Sequence, residues 1–219
     1  MRATMMSRAA GVLCAMAIAA AAGAQTIAIT GGTVYPVSGP KIEHGTVVIT
    51  NGKVSAVGAN VPIPAGATRI DATGKWVTPG LFNAATTLGL AEGNPASGGY
   101  NESHAKGEQG VAASFNAWEG MNPASTFIPA TRKDGITTAM VAPAGGEIIS
   151  GRAAIVDLNG ATVASMLVKA PVAMVATLTQ GADARGEQYA HLRTVLADAK
   201  VYGLRKLAYE NGAIRTLSA

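Results

Sequence analysis

The sequence predicts an α/β protein in two parts, a small antiparallel β-sandwich or meander over residues 25–78 and a strand-and-helix segment over 79–219. Three observations predict it. Short apolar runs broken by glycine turns fill Thr26 to Val77. A corner at Thr78-Pro79-Gly80 follows, where proline fixes φ and withholds a ladder donor while glycine permits backbone angles other residues avoid. Beyond it, the β-branched run Ile136–Val141 precedes a stretch, Asp183 to Asn211, with apolar residues at helical spacing.

The chain has 219 residues, 48% hydrophobic, 5% aromatic and 14% charged, which is a globular composition rather than a disordered or fibrous one. Its formal charge of +4 includes Arg2 and Arg8, and without them 15 basic residues face 13 acidic ones. That surplus, with no Lys/Arg cluster, gives no case for nucleic acid. Residues 1–24 read as a secretory signal peptide. Arg2 and Arg8 form a positive start, Ala9 to Ala22 a short apolar core, and Ala22-Gly23-Ala24 the small residues before a cut at Gln25. The apolar run falls short of the ~20 residues of a membrane span, so no stable span is expected after cleavage. The expected location is periplasmic or secreted. Cys14 is the single cysteine and leaves with the signal, so the mature chain has neither a disulfide nor a thiol nucleophile.

In the first part the predicted strands are Thr26–Thr30, Thr33–Pro36, Thr46–Thr50, Val54–Val57, Thr68–Asp71 and Lys75–Val77. Asn51-Gly52 between Val47-Val48-Ile49 and Val54 is the strongest hairpin signal, since a type I′ turn needs two residues tolerant of positive φ. Past the corner, Gly89 to Pro123 reads as a long connection with a short helix around Ala112–Trp118. Ser125–Lys133 reads as the lead-in to the strand Ile136–Val141. Ala153–Leu158 and Ala161–Val168, joined at Asn159-Gly160, read as a hairpin, and Val172–Leu178 as a buried strand. The final helix places Tyr189, Leu192, Leu196 and Ala199 on one face and stops at Asn211-Gly212.

Lys75 to Leu90, KWVTPGLFNAATTLGL, resembles the first barrel strand of the amidohydrolase superfamily, which carries a PGL[IF]DxHxH pattern. The hairpin text HGTVVITNGKVSAVG, followed by DATGKWVTPGL, is similar to the β module that precedes the barrel in that family. GITT at residues 135–138 is similar to its second barrel strand. The resemblance runs from about Ile27 to Leu90 and points to the imidazolonepropionase-like branch. It implies an incomplete (β/α)8 TIM-like barrel over 79–219, because such a barrel takes ~250 residues. The expectation is therefore a fragment or a chain that requires a second piece. The family hydrolyses C–N bonds other than peptide bonds with one or two divalent metals, zinc or another, held partly by the two histidines. Here those positions read Asn83, Ala85 and Thr87. An alanine offers no donor and a hydroxyl is a poor zinc ligand, so no metal or other cofactor is expected and no catalytic residue is assigned.

The remaining chemistry-bearing residues have modest readings. Glu92, Glu102, His104 and Glu108 form the nearest substitute ligand cluster, but their spacing matches that of a solvated polar loop. His44 reads as a turn residue and His191 as a residue on the exposed face of a helix. Ser150 lacks a G-x-S-x-G elbow. Gly145-Gly146 has no P-loop lysine after it. Asn101-Glu102-Ser103 matches a glycosylation acceptor, and Lys169 could mimic a carbamylated barrel lysine, although a structural role is preferred. Three functions follow: an exported, catalytically silent amidohydrolase-family chain; a non-catalytic partner, in a homo- or hetero-oligomer with an active homologue; and an enzyme holding one metal through ligands of a different pattern.

Overall fold

The computed structural model describes residues 25–94, 99–108, 110–145, 148–178 and 184–213. The expected signal segment, 1–24, lies outside the described residues. The chain divides into two compact units at the Pro79/Gly80 boundary.

The first unit is a five-stranded sheet. Strands β1 (Thr26–Val34), β2 (Ile42–Thr50) and β3 (Lys53–Gly58) pair antiparallel, while β4 (Thr68–Asp71) and β5 (Trp76–Val77) both pair parallel with β1. The sheet is thus mixed: β1, β2 and β3 form an antiparallel meander, while the parallel β4 and β5 depart from the all-antiparallel arrangement that the sequence predicts. Strand alternation reports which face is buried but is blind to strand direction. Gly31-Gly32 also does not end a strand. β1 continues through it with register shifts, so that β4 lies along Ile27–Thr30 and β5 along Thr33–Val34. Gly31 has φ +79°, and a Cβ there would come within 2.7 Å of Thr73 Oγ1. The expected hairpin forms at Asn51 (φ +53°) and Gly52 (φ +73°), the two positive angles of a type I′ turn. Ala28, Val34, Val47, Val48 and Ala72 make the core of this unit.

At the far end of β2, Lys41 pairs with Glu43 at 2.6 Å and the Thr33 hydroxyl donates to the same carboxylate at 2.8 Å. The Lys41 hydrogen bond, then the Thr33 one, hold the Glu43 carboxyl below the usual glutamate range. A depressed folded-state pKa contributes stability above the unfolded value, about 4.3, and loses it as pH falls through the folded value. An acid titration of Glu43→Gln is therefore expected to be flatter below about pH 4.3 than that of the wild type. Salt shrinks the difference, because both side chains are exposed. Equal acid limbs at low ionic strength would rule the pair out as a contributor.

The second unit holds a four-stranded open sheet in the order β11-β10-β9-β6. β6 (Leu81–Thr86) runs parallel to β9 (Ile136–Val141), while β10 (Ile149–Asp157) is antiparallel to both β9 and β11 (Leu167–Ala176). The described strands form no closed barrel, and β10, antiparallel to both of its neighbours, departs from the all-parallel order that the resemblance implies. A separate two-stranded ribbon pairs β7 (Ala91–Asn94) with β8 (Gly99–Glu102).

The segment Ser125–Lys133 contains a helix, α1 (Phe127–Lys133), where the sequence predicts a lead-in. Pro129 sits in its first turn, where the missing N–H would have had no intrahelical partner. Arg132 and Lys133 lie in the last turn, favourable at the negative end of the helix. Gly135 (φ +88°) then turns the chain into β9. Around Ala112–Trp118 the helical element is a 3-10 turn, Ala117–Glu119. The predicted strand Ala161–Val168 is instead a short helix, α2 (Val163–Met166). Its capping box joins Thr162 and Ser165, and it leads directly into β11. The apolar runs on either side of Pro171 therefore make one ten-residue strand. Leu90, Met121, Ile128, Ala139, Val141, Val156, Leu158 and Met166 pack as the core.

The last helix, α3 (Arg185–Glu210), matches its prediction in extent. Tyr189 and Leu196, two of the residues at helical spacing, are 52% and 56% exposed. No described helix is long and apolar enough to cross a membrane.

Candidate functional site

The C-terminal end of β6 is the candidate site, because ligands of open α/β sheets bind outside the carboxyl ends of the strands and positions 83, 85 and 87 lie there. Leu81 N–H donates to Gly135 O at 2.9 Å and Ala142 N–H donates to Thr86 O at 2.9 Å, which hold the two ends of β6 against β9. Between them a register shift from Asn83 to Thr86 marks an irregularity. Asn83 is half-buried and its Oδ1 accepts from Ala85 N–H at 3.2 Å. Ala85 is exposed. Thr86 Oγ1 accepts from Leu88 N–H at 3.2 Å, and the Thr87 carbonyl accepts from Leu90 and Ala91. Asn83 Oδ1, Thr86 Oγ1 and the Thr87 carbonyl thus close a turn with nearby backbone N–H groups. Across the neighbouring strands, Thr138 Oγ1 donates to Asp157 Oδ1 at 2.8 Å.

The other candidates scatter. Glu92, on β7, accepts a long 3.5 Å hydrogen bond from Asn122 Nδ2. His104 and Glu108 are exposed in the following loop, and Glu102 and Asn101 belong to β8. Among the described residues no three His, Cys, Asp or Glu side chains gather as a ligand group. His44 is not in a turn. It lies inside β2 with φ +51°, where Glu43 and His44 together oppose Thr33, so it is the extra residue of a bulge. His191 is half-buried on α3 rather than fully exposed. Ser150 is buried on β10. Lys169 is exposed on β11, opposite Ile155. Gly145 is exposed, and Gly146 lies outside the described residues.

Among solved structures, the chain is similar to an amidohydrolase from Thermotoga maritima MSB8, with a TM-score of 0.68 and 23% identity over 87% of this chain and 52% of that one. The fold is amidohydrolase-like. Shorter stretches match a molinate hydrolase (36% identity, 31% of this chain and 15% of that one, TM-score 0.28). Others match a prolidase complexed with N-methylphosphonate-L-proline (24% identity, 52% and 25%, TM-score 0.34). No protein-family model and no curated protein matches. The chain spans about half the length of the Thermotoga amidohydrolase.

Metal hydrolysis in an amidohydrolase-like fold needs donors that hold a cation and leave it an open position. The strand end offers an amide, a methyl and a hydroxyl at 83, 85 and 87, and the amide oxygen is already engaged. These residues do not fit zinc. Sequence reasoning gave no role to Arg152, the one basic residue of β10. Its Nε is buried without a hydrogen-bond partner, as is Oδ1 of Asn116, the residue bridged to it. Arg152 lines a shallow cavity of about 270 Å³ with Pro171, Val172, Ala173 and Met174. A lone arginine within an apolar strand was the signal that could have found it.

Proposed function

We infer that this chain is an exported member of the amidohydrolase superfamily, imidazolonepropionase-like in its first barrel strand, that does not hydrolyse C–N bonds on its own. The observation that carries the reading is the end of β6. The strand that would open the barrel, β6, carries Ala85 and is followed by Thr87, and the Asn83 and Thr86 side chains accept from local backbone N–H groups. The fold likeness to the Thermotoga amidohydrolase supports the family. The PGLF corner at Pro79–Phe82 and the GITT stretch at β9 support the placement of β6 and β9 as its first two barrel strands. Residues 1–24 support export.

The test is a preparation expressed from the whole reading frame in a bacterial host. The exported protein is expected to begin at Gln25 by mass spectrometry and to carry no stoichiometric divalent metal after dialysis. It is also expected to turn over neither N-acyl amino acids nor cyclic amides above the uncatalysed rate, where a working enzyme gives at least about 10⁶-fold. One zinc per chain with hydrolysis that a chelator abolishes would end the inactive reading. An intact Met1 would end the export reading.

A further inference from the structure

Away from the end of β6, one side chain of the second unit stands out from its surroundings. Arg152 is the only basic residue of β10, half-buried between two buried neighbours, Gly151 and Ala153. Its backbone is fixed, because its N–H donates to Phe115 O at 2.8 Å. Its side chain is not held in the same way. Nε is buried with no hydrogen-bond partner, and among the described residues no carboxylate pairs with the guanidinium. A guanidinium cannot shed its charge and carries only donors, so a partly buried one without an anion is costly to keep.

The strand opposite leaves room beside it. Met174 is the cross-strand partner of Arg152 in the β10–β11 ladder. Ala153 pairs with Ala173 but Ile155 pairs with Lys169, so residues 170–172 of β11 stand against Ala154 alone. A bulge of this kind bends its strand and re-aims the side chains around it. It borders the cavity of about 270 Å³ that Arg152 lines with Pro171, Val172, Ala173 and Met174. The cavity therefore has one cation and an otherwise apolar wall.

We propose that this cavity binds a small monocarboxylate with an apolar body, the carboxylate on the Arg152 guanidinium and the body against Pro171, Val172 and Met174. A guanidinium fork matches the two oxygens of a carboxylate in one plane. With Nε covered, the fork open to a ligand is the outer one, Nη1 and Nη2. A single cation neutralises a monoanion and leaves a phosphate dianion half neutralised, which favours the carboxylate. The wall adds burial of apolar area that a bare inorganic anion lacks. The volume lies just under the range of small-molecule sites, about 300–1,000 Å³, so the ligand is small. None of the lining residues belongs to β6, so the site stands whether or not that strand end is catalytically silent.

The test titrates the full chain with 3-phenylpropionate, its neutral amide and inorganic phosphate, following the Arg152 amide and the Met174 methyl by NMR. Saturable shifts with a Kd on the order of 1 mM are expected for the carboxylate. The amide and the phosphate are each expected to bind at least about tenfold more weakly, the factor that loss of one charge-assisted pair removes. Arg152→Met is expected to abolish saturation. Met174→Glu keeps the question open to decision should that variant fail to fold. It sets a carboxylate of the chain's own opposite Arg152, at a site 50% exposed, and opposite charges across a ladder attract. It is expected to keep the wild-type melting temperature and to weaken 3-phenylpropionate binding by more than about tenfold. Equal binding of the amide overturns the proposal, since the cavity then holds only apolar bodies. Phosphate binding as tight as the carboxylate, binding that survives Met174→Glu, or no saturation by about 20 mM overturns it as well.

Discussion

Replacing Leu158 by alanine is expected to cost the second unit about 2–5 kcal/mol, the range for emptying a leucine site in a packed core. Leu158 is 1% exposed within the cluster that also holds Leu90, Ile128, Val141, Val156 and Met166. Its backbone is pinned, since its N–H donates to Thr137 O at 2.8 Å, so the chain cannot easily collapse into the gap. The loss combines the transfer free energy of the missing methyl groups with a cavity term. Leu204, 79% exposed on α3, supplies the contrast, because truncating it should stay within about 0.5 kcal/mol. Trp118 is half-buried in the 3-10 turn of the second unit and Trp76 is exposed in the first. Urea melts followed by fluorescence in a Trp76→Phe background therefore report the second unit alone. A loss below about 1 kcal/mol for Leu158→Ala would show that the cluster is loosely packed.

What was legible in the sequence was local. Asn51-Gly52 dictates its turn through backbone angles that few other pairs tolerate, and the hairpin stands where the sequence puts it. Ile136–Val141 is bounded by Asp134-Gly135 on one side and Pro143 on the other, and β9 has those ends. What was hidden was non-local. Whether β4 runs with or against β1 depends on the route of residues 59–67, not on the composition of Thr68–Asp71. The run Val163–Met166 is as apolar as a strand, but the Thr162–Ser165 capping box turns it into helix first. Burial on α3 was hidden for the same reason. Tyr189 and Leu196 have the spacing of a core face, but spacing says which residues share a face and not whether anything covers it.

The candidate site was legible in one respect. Identity alone shows that Ala85 and Thr87 bring no imidazole, and no folding detail can supply one. The use of Asn83 Oδ1 and Thr86 Oγ1 as local backbone caps could not be read ahead, because Asn and Thr serve equally as ligands to substrate or as turn formers.

Gly151→Ala is expected to be the other costly change, and for a reason confined to the backbone. Gly151 lies within β10 at φ +127°, a region side chains rarely adopt. A Cβ there would stand 2.8 Å from Phe115 O and 2.9 Å from Phe115 Cδ1. The carbonyl cannot retreat freely, because it accepts the Arg152 N–H at 2.8 Å, and the flanking bridges join Val111 to Ile149 and Asn116 to Arg152. The glycine is what lets the connection around Phe115 lie against β10. Strain of about 1–3 kcal/mol adds to an overpacking cost of similar size, so a total of roughly 2–6 kcal/mol is expected. Gly52→Ala separates the two contributions: it also has a positive φ, +73°, but nothing lies within 4 Å of the added atom. It should lose only the strain. If the two alanines cost the same, Phe115 moves aside without penalty and the packing of residues 110–116 on β10 is soft. If Gly151→Ala costs several kcal/mol more and the Arg152 amide exchanges faster with solvent, that connection is fixed to the sheet through this glycine.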